Sequence, residues 1–388
     1  MTITHALQAI RCVCPLTGML FLVGFISVGC SQDAHTTATE PLDTIRKVHG
    51  LPGLIAGHFT LGGDLELKVS GVRKSGSREA LQEDDPMHLG SCTKSMTAVL
   101  IGLLVDEGKL SWESTLAEVF VDDETVKSSA WADTTVAQLL HHVSGAVANP
   151  PWTTFNDPNI PVTQQRRQVL HWMMKQPRTA DSVGQFTYSN LGYMVLGHII
   201  EEVRQQSWEE EIQQRLFDPL GIQSAGFGPP SLSKGPDVPW GHANLVGVML
   251  ATELDNPPVL GPAGTTHMSM KDWVKYLRVH LVSDAEGAGT SDADAIPIPI
   301  RRETLRFLHT PGPKEGYAGG WIVSERPWAG GRILTHNGSN TVWYCVVFLA
   351  PEQKRGILSA SNYGLGAAKA CDEALQWMLQ LHPAPATP

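Results

Sequence analysis

Charge is scarce in this 388-residue chain, and acidic residues outnumber basic ones. Only 18% of the residues are charged, the formal net charge is −10, and no stretch concentrates lysine and arginine. Nucleic-acid binding needs clustered cations that neutralise phosphates, so the composition excludes a nucleic-acid partner. Hydrophobic residues make up 42% of the chain, which is enough for a sizeable core and excludes a largely disordered protein.

Several familiar catalytic and metal-binding patterns are also missing. The six cysteines show no CxxC or zinc spacing, and no Gly-x-Ser-x-Gly pentapeptide of α/β hydrolases is present. His141 and His142 have no His-Glu-x-x-His pattern and no nearby carboxylate partner, which favours a structural role over a metal site. We therefore expect neither a metal nor an organic cofactor.

The chain lacks an apolar run long enough to span a bilayer. The run Leu16–Val28 follows the single charge of Arg11 and is shorter than the about 20 residues that a spanning helix needs. It is typical of an export signal over residues 1–29, and the ending 27–30 resembles a lipoprotein cleavage box with serine in place of leucine. The sequence predicts export to the cell envelope, with membrane attachment only through a lipid on Cys30; ordinary signal-peptidase cleavage nearby is the alternative.

Polar residues after the apolar run predict a flexible tether over residues 30–45. The residue directly after the cysteine is Ser31. A serine at this position resembles known outer-membrane lipoproteins and favours attachment to the outer membrane in a Gram-negative host. One folded domain is then predicted over residues 46–382.

Strand patterns occur at both ends of this domain and helical patterns between them. The patterns that support this are strands Leu54–Thr60 and Leu65–Val69, strands at 320–323, 332–336, 344–349 and 356–360, helices Asn190–Gln206, Met270–Leu281 and Ala367–Leu381, capping boxes at 135–138 and 269–272, and an acidic loop at 283–295. They predict an α+β fold, in which an antiparallel sheet from both chain ends is flanked by helices. A mostly helical subdomain is inserted at about residues 105–265.

A serine and a lysine at helical spacing form the strongest local motif. Gly90-Ser91-Cys92-Thr93-Lys94 opens an amphipathic helical pattern that ends near Gly108. Positions i and i+3 share a helix face, so Lys94 lies one turn from Ser91. Serine is a weak nucleophile until a base takes its proton, and burial favours the neutral, basic form of lysine. The helix N-terminus also offers the Ser91 N–H to an oxyanion, although Ser-x-x-Lys alone occurs by chance in many sequences.

Two further motifs supply polar groups that suit the same chemistry. Tyr188-Ser189-Asn190 opens a helix, and a phenol with a reference pKa of about 10 becomes a base when a neighbouring ammonium lowers that pKa. His336-Asn337-Gly338 ends a strand pattern, and a glycine there lets a substrate approach the strand backbone closely. The next amide, the Ser339 N–H, would complete an oxyanion hole with that of Ser91.

In this order and spacing the three motifs resemble those of class C β-lactamases and DD-peptidases, the penicillin-recognising serine hydrolases. That family pairs Ser-x-x-Lys with Tyr-x-Asn and with a triplet that begins with Lys or His and ends in Gly. The resemblance spans roughly residues 50–362 and includes the segments His88–Met96, Leu139–Gly145, Tyr188–Tyr193, Phe217–Ile222 and Gly261–Gly264. It implies a serine hydrolase that forms an acyl-enzyme on a small-molecule or peptide substrate without a cofactor.

The resemblance also implies a role for each motif residue. Ser91 is acylated, and Lys94 and Tyr188 share the general acid and base work. Asn190 hydrogen-bonds Lys94 and the substrate amide. The amides of Ser91 and Ser339 hold the oxyanion.

Two positions depart from the usual pattern of the family. His336 replaces the lysine of class C β-lactamases, as in some DD-peptidases and D-amino-acid peptidases, and the resemblance implies that it faces the far end of the substrate. An imidazolium there would bind a carboxylate, whereas a neutral ring would only order the cleft by hydrogen bonding. Cys92 is an unusual neighbour for the nucleophile and is interpreted as a small buried residue. Trp321 and Trp343, which flank the third motif, either wall the cleft or fill the core.

The substrate stays open among three classes. These are D-Ala-D-Ala-type peptides of the cell wall, carboxylic esters or amides, and β-lactams, which all use the same nucleophile, and a fold does not choose between them. A non-catalytic sensor of β-lactams or peptidoglycan is the alternative of another class. The intact Lys94 and Tyr188 argue against it, because a binding-only site has no need of a base pair.

Overall fold

The two ends of the chain meet in one antiparallel sheet. The computed structural model describes residues 41–282, 297–313 and 316–383. The strands are β1 Gly53–Thr60, β2 Leu65–Gly71, β3 Pro86–His88, β4 Gly226–Phe227, β5 Gly241–Leu245, β6 Val248–Thr252, β7 Thr266–Ser269, β8 Ile322–Arg326, β9 Gly331–Ser339, β10 Tyr344–Ala350 and β11 Arg355–Ser361. The main sheet has the order β2-β1-β11-β10-β9-β8, beside a small sheet β3-β7-β4 and the hairpin β5–β6.

Helices flank this sheet and fill the middle of the chain. They are α1 Pro41–Val48, α2 Thr93–Asp106, α3 Leu116–Val119, α4 Glu124–Lys127, α5 Val136–Leu140, α6 Val162–Met174, α7 Asn190–Arg204, α8 Trp208–Ile212, α9 Pro230–Lys234, α10 Gly261–Gly264, α11 Met270–Val279, α12 Arg302–Leu308 and α13 Ala367–Leu381. The arrangement confirms the predicted α+β fold.

Strand β1, next to the edge strand β2, is buried on both faces because helices cover each of them. Successive side chains of a strand point to opposite faces. Leu54 and Ala56 belong to the core cluster that includes α13, whereas Ile55 and Phe59 belong to the main core. The sheet thereby separates a thin layer, formed by α1 and α13, from the bulk of the protein, which holds the first two motifs, whereas the third motif lies on β9 of the sheet itself.

Helix α2 runs through the main core rather than along its surface. Every residue from Thr93 to Leu104 is buried, so the predicted amphipathic character is wrong. The small or apolar residues Gly102, Val99 and Leu103 allow this, because neighbouring elements pack around the whole circumference. The burial has a direct chemical consequence for the polar residues at the beginning of the helix.

Capping signals predicted several helix ends. The Thr135 capping box forms at α5, and α13 has the predicted bounds. At α11 only half of the predicted box forms. Ser269 accepts from the Asp272 N–H, but its own N–H donates to Ser224 Oγ, because the Asp272 carboxylate accepts from Ser224 and pairs with Lys275.

Other local predictions were incomplete. The hairpin β5–β6 and the short strands of the small sheet were missed, and α1 begins at Pro41, before the predicted domain start. The strand predicted from Gly320 begins only at Ile322, since Gly320 has a φ of +80° that a strand does not accommodate. The predicted signal, Cys30 and the loop 283–295 lie outside the described residues. No helix in the described part of the chain is long and apolar enough to cross a membrane.

Candidate active site

Ser91 lies on a tight turn between the small sheet and α2. A single 3-10 turn over Gly90–Cys92 precedes the helix, and Ser91 is half-buried at its centre. Gly90 has a φ of +49°, and a Cβ added there would lie 2.5 Å from the Ser339 amide nitrogen. Only glycine suits both this conformation and this contact, so Gly90 lets the turn lie directly against the end of β9.

Lys94 is fully buried one turn after Ser91. Its Nζ lies 3.2 Å from Ser91 Oγ, 2.7 Å from Asn190 Oδ1 and 2.8 Å from the Ala263 carbonyl oxygen. The amide and carbonyl oxygens only accept hydrogen bonds, so they take two protons of the amine and leave its third direction toward the serine. Burial lowers the pKa of Lys94 to about 7. The neutral amine then directs its lone pair at the Ser91 hydroxyl.

Tyr188 is placed beside both of these residues. Its side chain hydrogen-bonds that of Ser91, and Lys94 Nζ lies 4.8 Å from its ring centroid. Burial raises the pKa of Tyr188 above its ordinary value, although the hydrogen bond to Ser91 acts to lower it. The prediction of a lowered phenol pKa is therefore wrong, because burial outweighs the hydrogen bond to Ser91 and a neutral Lys94 amine carries no charge that would lower the pKa. Tyr188 stays protonated and is available as a proton donor.

Asn190 connects the lysine to the wall of the cleft. It is the first residue of α7, which Ser189 caps by accepting the Gly192 N–H. Asn190 Oδ1 accepts from Lys94, and its Nδ2 donates to Asn149 Oδ1 at 2.7 Å. Sequence reasoning missed Asn149, which lies in the loop after α5 and is marked only by its position before a proline.

His336 is enclosed in the protein rather than directed at the cleft. Its Nδ1 lies 2.6 Å from the Asn337 carbonyl oxygen, and its Nε2 lies 3.1 Å from the Tyr317 hydroxyl. Because the carbonyl only accepts, Nδ1 carries the proton and Nε2 accepts from Tyr317. Burial lowers the pKa of His336 to about 4. Of the two alternatives for His336, these contacts favour the neutral ring that only hydrogen-bonds, and the ring does not line the cleft. Its partner Tyr317 carried no sequence signal.

Gly338 serves packing rather than substrate approach. A Cβ added there would clash with the Leu89 carbonyl oxygen and lie 3.0 Å from the Ser91 amide nitrogen. The predicted reason for this glycine is therefore corrected, since the nucleophile turn itself occupies the space. The close packing places the Ser91 and Ser339 amide nitrogens at one junction of α2 and β9.

A cleft of about 410 Å³ opens beside Ser91. Its walls come from the loop after α5, the start of α7, the segment between β6 and α10, and the end of β9. The lining residues are Ser91, Asn149, Trp152, Asn190, Leu254, Asp255, Asn256, Pro257, Leu260, Ala263, Ser339, Asn340 and Thr341. A larger cavity of about 890 Å³ lies between α6 and α7, and no predicted site residue lines it. The chemistry is therefore assigned to the smaller cleft.

The histidine pair after α5 contacts backbone groups. His142 Nδ1 accepts from the Ser189 N–H at 3.1 Å, and burial lowers its pKa well below the ordinary value. His141 Nδ1 lies 3.2 Å from the Tyr317 carbonyl oxygen. Both rings hold loops around the site, in keeping with the predicted structural role.

Cys92 and the two tryptophans belong to the core. Cys92 is buried with its Sγ 3.6 Å from Cys345 Sγ, and burial raises the pKa of the Cys345 thiol. A thiol in such surroundings is a poor nucleophile. Trp321 and Trp343 are each 1% exposed and do not line the cleft, which decides the open alternative in favour of core packing.

Known proteins are similar to this chain in sequence and in architecture. Penicillin-binding protein 4 of Amycolatopsis lactamdurans is 27% identical, over 79% of this chain and 79% of that protein. Lovastatin esterase of Penicillium rubens is 30% identical, over 74% of this chain and 82% of that protein. The octameric penicillin-binding protein homologue from Pyrococcus abyssi matches with a TM-score of 0.68 and 26% identity, over 87% of this chain and 75% of that one. The model of the beta-lactamase family matches residues 42–381, so this chain belongs to the beta-lactamase family of serine hydrolases.

Proposed function

We propose that this protein hydrolyses esters or amides that have no carboxylate group, and that the reaction proceeds through an acyl-enzyme on Ser91. The observation that carries the proposal is the surroundings of Lys94, whose amine contacts two neutral oxygen acceptors and the Ser91 hydroxyl. A lysine that served only as a structural cation would need an anionic partner in the protein interior. This one is arranged to accept a proton.

Acylation uses the residues at the junction of α2, α7 and β9. Lys94 Nζ takes the Ser91 proton, and Ser91 Oγ attacks the carbonyl carbon. The amides of Ser91 and Ser339 stabilise the oxyanion. When the bond to the leaving group breaks, the Tyr188 hydroxyl gives the leaving group its proton and is reprotonated by the Lys94 ammonium.

Deacylation reverses these proton transfers with water. The neutral amine of Lys94, directly or through Tyr188, takes a proton from a water molecule that attacks the acyl carbon. Ser91 leaves and recovers its proton. No residue beyond these three has to change its protonation state in either half of the cycle.

Two observations support substrates without a carboxylate over D-Ala-D-Ala peptides and β-lactams, which both carry one. His336 is neutral and enclosed, so it offers no positive charge to a substrate anion. No lysine or arginine is among the described residues that line the cleft. The similarity to an esterase at 30% identity points the same way. A non-catalytic sensor is disfavoured because its site would not need the neutral Lys94.

We also propose that the protein is exported and anchored to the envelope by a lipid on Cys30. Labelled fatty acid should enter the wild-type protein and be absent from Cys30→Ala. A mature form that is unlabelled, soluble and begins at another residue would contradict lipidation and leave export intact.

The acyl-enzyme is tested by intact-mass analysis after treatment with a fluorophosphonate. We expect one adduct on the wild-type protein, none on Ser91→Ala, and an unchanged adduct on the control Cys92→Ser. Hydrolysis of a neutral p-nitrophenyl ester should fall by several orders of magnitude in Ser91→Ala. Unchanged ester hydrolysis in that variant, or labelling that disappears only in Cys92→Ser, would contradict the proposal.

A further inference from the structure

One formally charged side chain stands out among the described residues that line the cleft beside Ser91. Among the described residues that line it, Asp255 is the only acidic one, and none is a lysine or arginine. The other polar groups of the lining are amides and hydroxyls. A carboxylate in this position determines the electrostatic interaction of the cleft with a bound acyl donor.

The carboxylate of Asp255 is held by two neutral donors. Asn340 Nδ2 donates to Oδ1 at 2.6 Å, and His88 Nε2 lies 3.2 Å from Oδ2. His88 Nδ1 accepts the Gly90 N–H at 3.1 Å, so that nitrogen carries no proton. His88 is thus the neutral tautomer that donates from Nε2, and it does not neutralise Asp255.

These contacts also place the carboxylate close to the reacting groups. His88 lies three residues before Ser91, at the end of β3, and its Nδ1 accepts a hydrogen bond from the Gly90 N–H within the nucleophile turn. Asn340 directly follows Ser339 at the end of β9. Asp255 therefore connects the two backbone segments whose amides meet at the oxyanion position.

The carboxylate retains capacity for a further donor. Two oxygens offer about four acceptor sites, whereas only two neutral donors contact them: Asn340 Nδ2 at Oδ1, and His88 Nε2, which lies 3.2 Å from each oxygen. A carboxylate whose side chain is only 6% exposed is costly without a positive partner. His88 is its only chargeable partner among the described ion pairs, and the hydrogen bond from Gly90 keeps it neutral.

We propose that Asp255 is a specificity-determining residue that selects acyl donors carrying an ammonium group. An ammonium N–H or a quaternary nitrogen placed in the cleft would supply the missing positive partner of the carboxylate. An anionic acyl donor would meet like charge in a partly desolvated cleft. The inference rests on the proposed function, since it concerns the substrate of the same acylation.

The test uses three p-nitrophenyl esters that differ mainly in charge. These are the esters of 4-(trimethylammonio)butanoic acid, of its uncharged isostere 5,5-dimethylhexanoic acid, and the monoester of glutaric acid. For the wild-type enzyme we expect kcat/KM to be about 10-fold or more higher for the cationic than for the neutral ester, and lowest for the anionic one. The difference should appear mainly in KM, because the charge does not touch the reacting bond.

Variants separate charge selection from a structural role. Asp255→Asn should lower the ratio of kcat/KM between cationic and neutral ester by about 10-fold, and Asp255→Glu should retain a ratio above one. The exposed Asp237→Asn makes the same charge change outside the cleft and should leave the ratio unaltered. If Asp255→Asn lowers both rates equally, the residue only positions the two segments and the proposal is overturned.

The wild-type measurement decides the matter even if a variant does not fold. Equal kcat/KM for the cationic and neutral esters, or preference for the anionic one, would overturn the role of Asp255 and leave the acyl-enzyme proposal standing. Failure of all three esters to acylate Ser91, seen by intact mass, would overturn the proposed function and this inference together.

Discussion

Two basic side chains are fully buried among the residues that the structure describes, and their surroundings give them opposite chemistry. Arg166 on α6 contacts two carboxylates, with Nη1 2.5 Å from Glu201 Oε1 and Nη2 2.5 Å from Glu209 Oε1. Lys94 on α2 contacts neutral oxygens and a serine. Both side chains lose their hydration, yet only the arginine gains counter-charges in return.

The two pKa values follow from this difference. For Arg166 burial acts to lower the pKa, but the carboxylates of Glu209 and Glu201 outweigh burial and raise it above its ordinary value. For Lys94 burial acts without a carboxylate and lowers the pKa to about 7. A buried basic side chain that contacts carboxylates stays protonated and has a structural role. Without a nearby carboxylate, burial favours its neutral form, which can act as a base.

Replacing Lys94 should have the largest effect. Lys94→Met removes the base and should lower kcat/KM for a neutral ester by about 10⁴-fold. The fold should persist at pH 7, since the variant removes a buried amine rather than an ion pair. The measurements are steady-state kinetics and urea unfolding. Substantial loss of the unfolding free energy would instead assign Lys94 the structural role of Arg166.

Replacing Arg166 should give the converse result. Arg166→Met leaves two carboxylates without their cation and should lower the unfolding free energy by about 3–5 kcal/mol. The folded variant should retain its ester hydrolysis at low temperature. The neighbouring Arg167, whose side chain is 61% exposed, is the control, and Arg167→Met should change stability by less than about 1 kcal/mol. Equal destabilisation by both variants would contradict the comparison.

Giving Lys94 an anion should make it resemble Arg166. In the wild type only the neutral amine accepts the proton, so kcat/KM should rise with pH through about 7. Asn190→Asp places a carboxylate on Lys94, favours the ammonium and should move this rise upward by about 1–3 pH units. Asn149→Asp, one hydrogen bond further away, should shift it less. An unmoved profile in Asn190→Asp would show that another group is titrated.

The smallest effect of pH on substrate selectivity is expected from His336. Burial keeps this ring neutral. Its pKa of about 4 lies below the tested range. The ratio of kcat/KM for a D-Ala-D-Ala peptide to that for a neutral ester should therefore stay within about twofold from about pH 5.5 to 8, where an ordinary histidine titrates. A ratio that falls through a histidine pKa, and that His336→Lys makes flat, would restore the carboxylate-binding role.

Local signals in the sequence predicted much of the fold. Strand patterns predicted β1 and β2, which pair in the structure, and helical patterns predicted α7 and α13. The hairpin β5–β6 was missed because several of its aliphatic side chains are exposed, among them Val246 at 96%. Alternation between a polar and an apolar face is therefore absent there.

The functional groups that sequence reasoning missed lack any local pattern. Asn149, Tyr317 and Asp255 lie in or beside loops, and each forms a hydrogen bond with a partner 19 to 85 residues away along the chain. Asp255, for example, contacts Asn340 at a separation of 85 residues. Nothing near such a residue in the sequence distinguishes it from an ordinary surface side chain.

The sequence by itself determined that Ser91 and Lys94 share one helix face, because a spacing of three residues is a property of any helix. Only the tertiary structure decided which residues carry charge. Lys94 meets Asn190 and Ala263, which are 96 and 169 residues away, and His336 meets Tyr317 inside the core. A pKa depends on lost water and on the charges within a few ångströms, and folding alone brings those groups together.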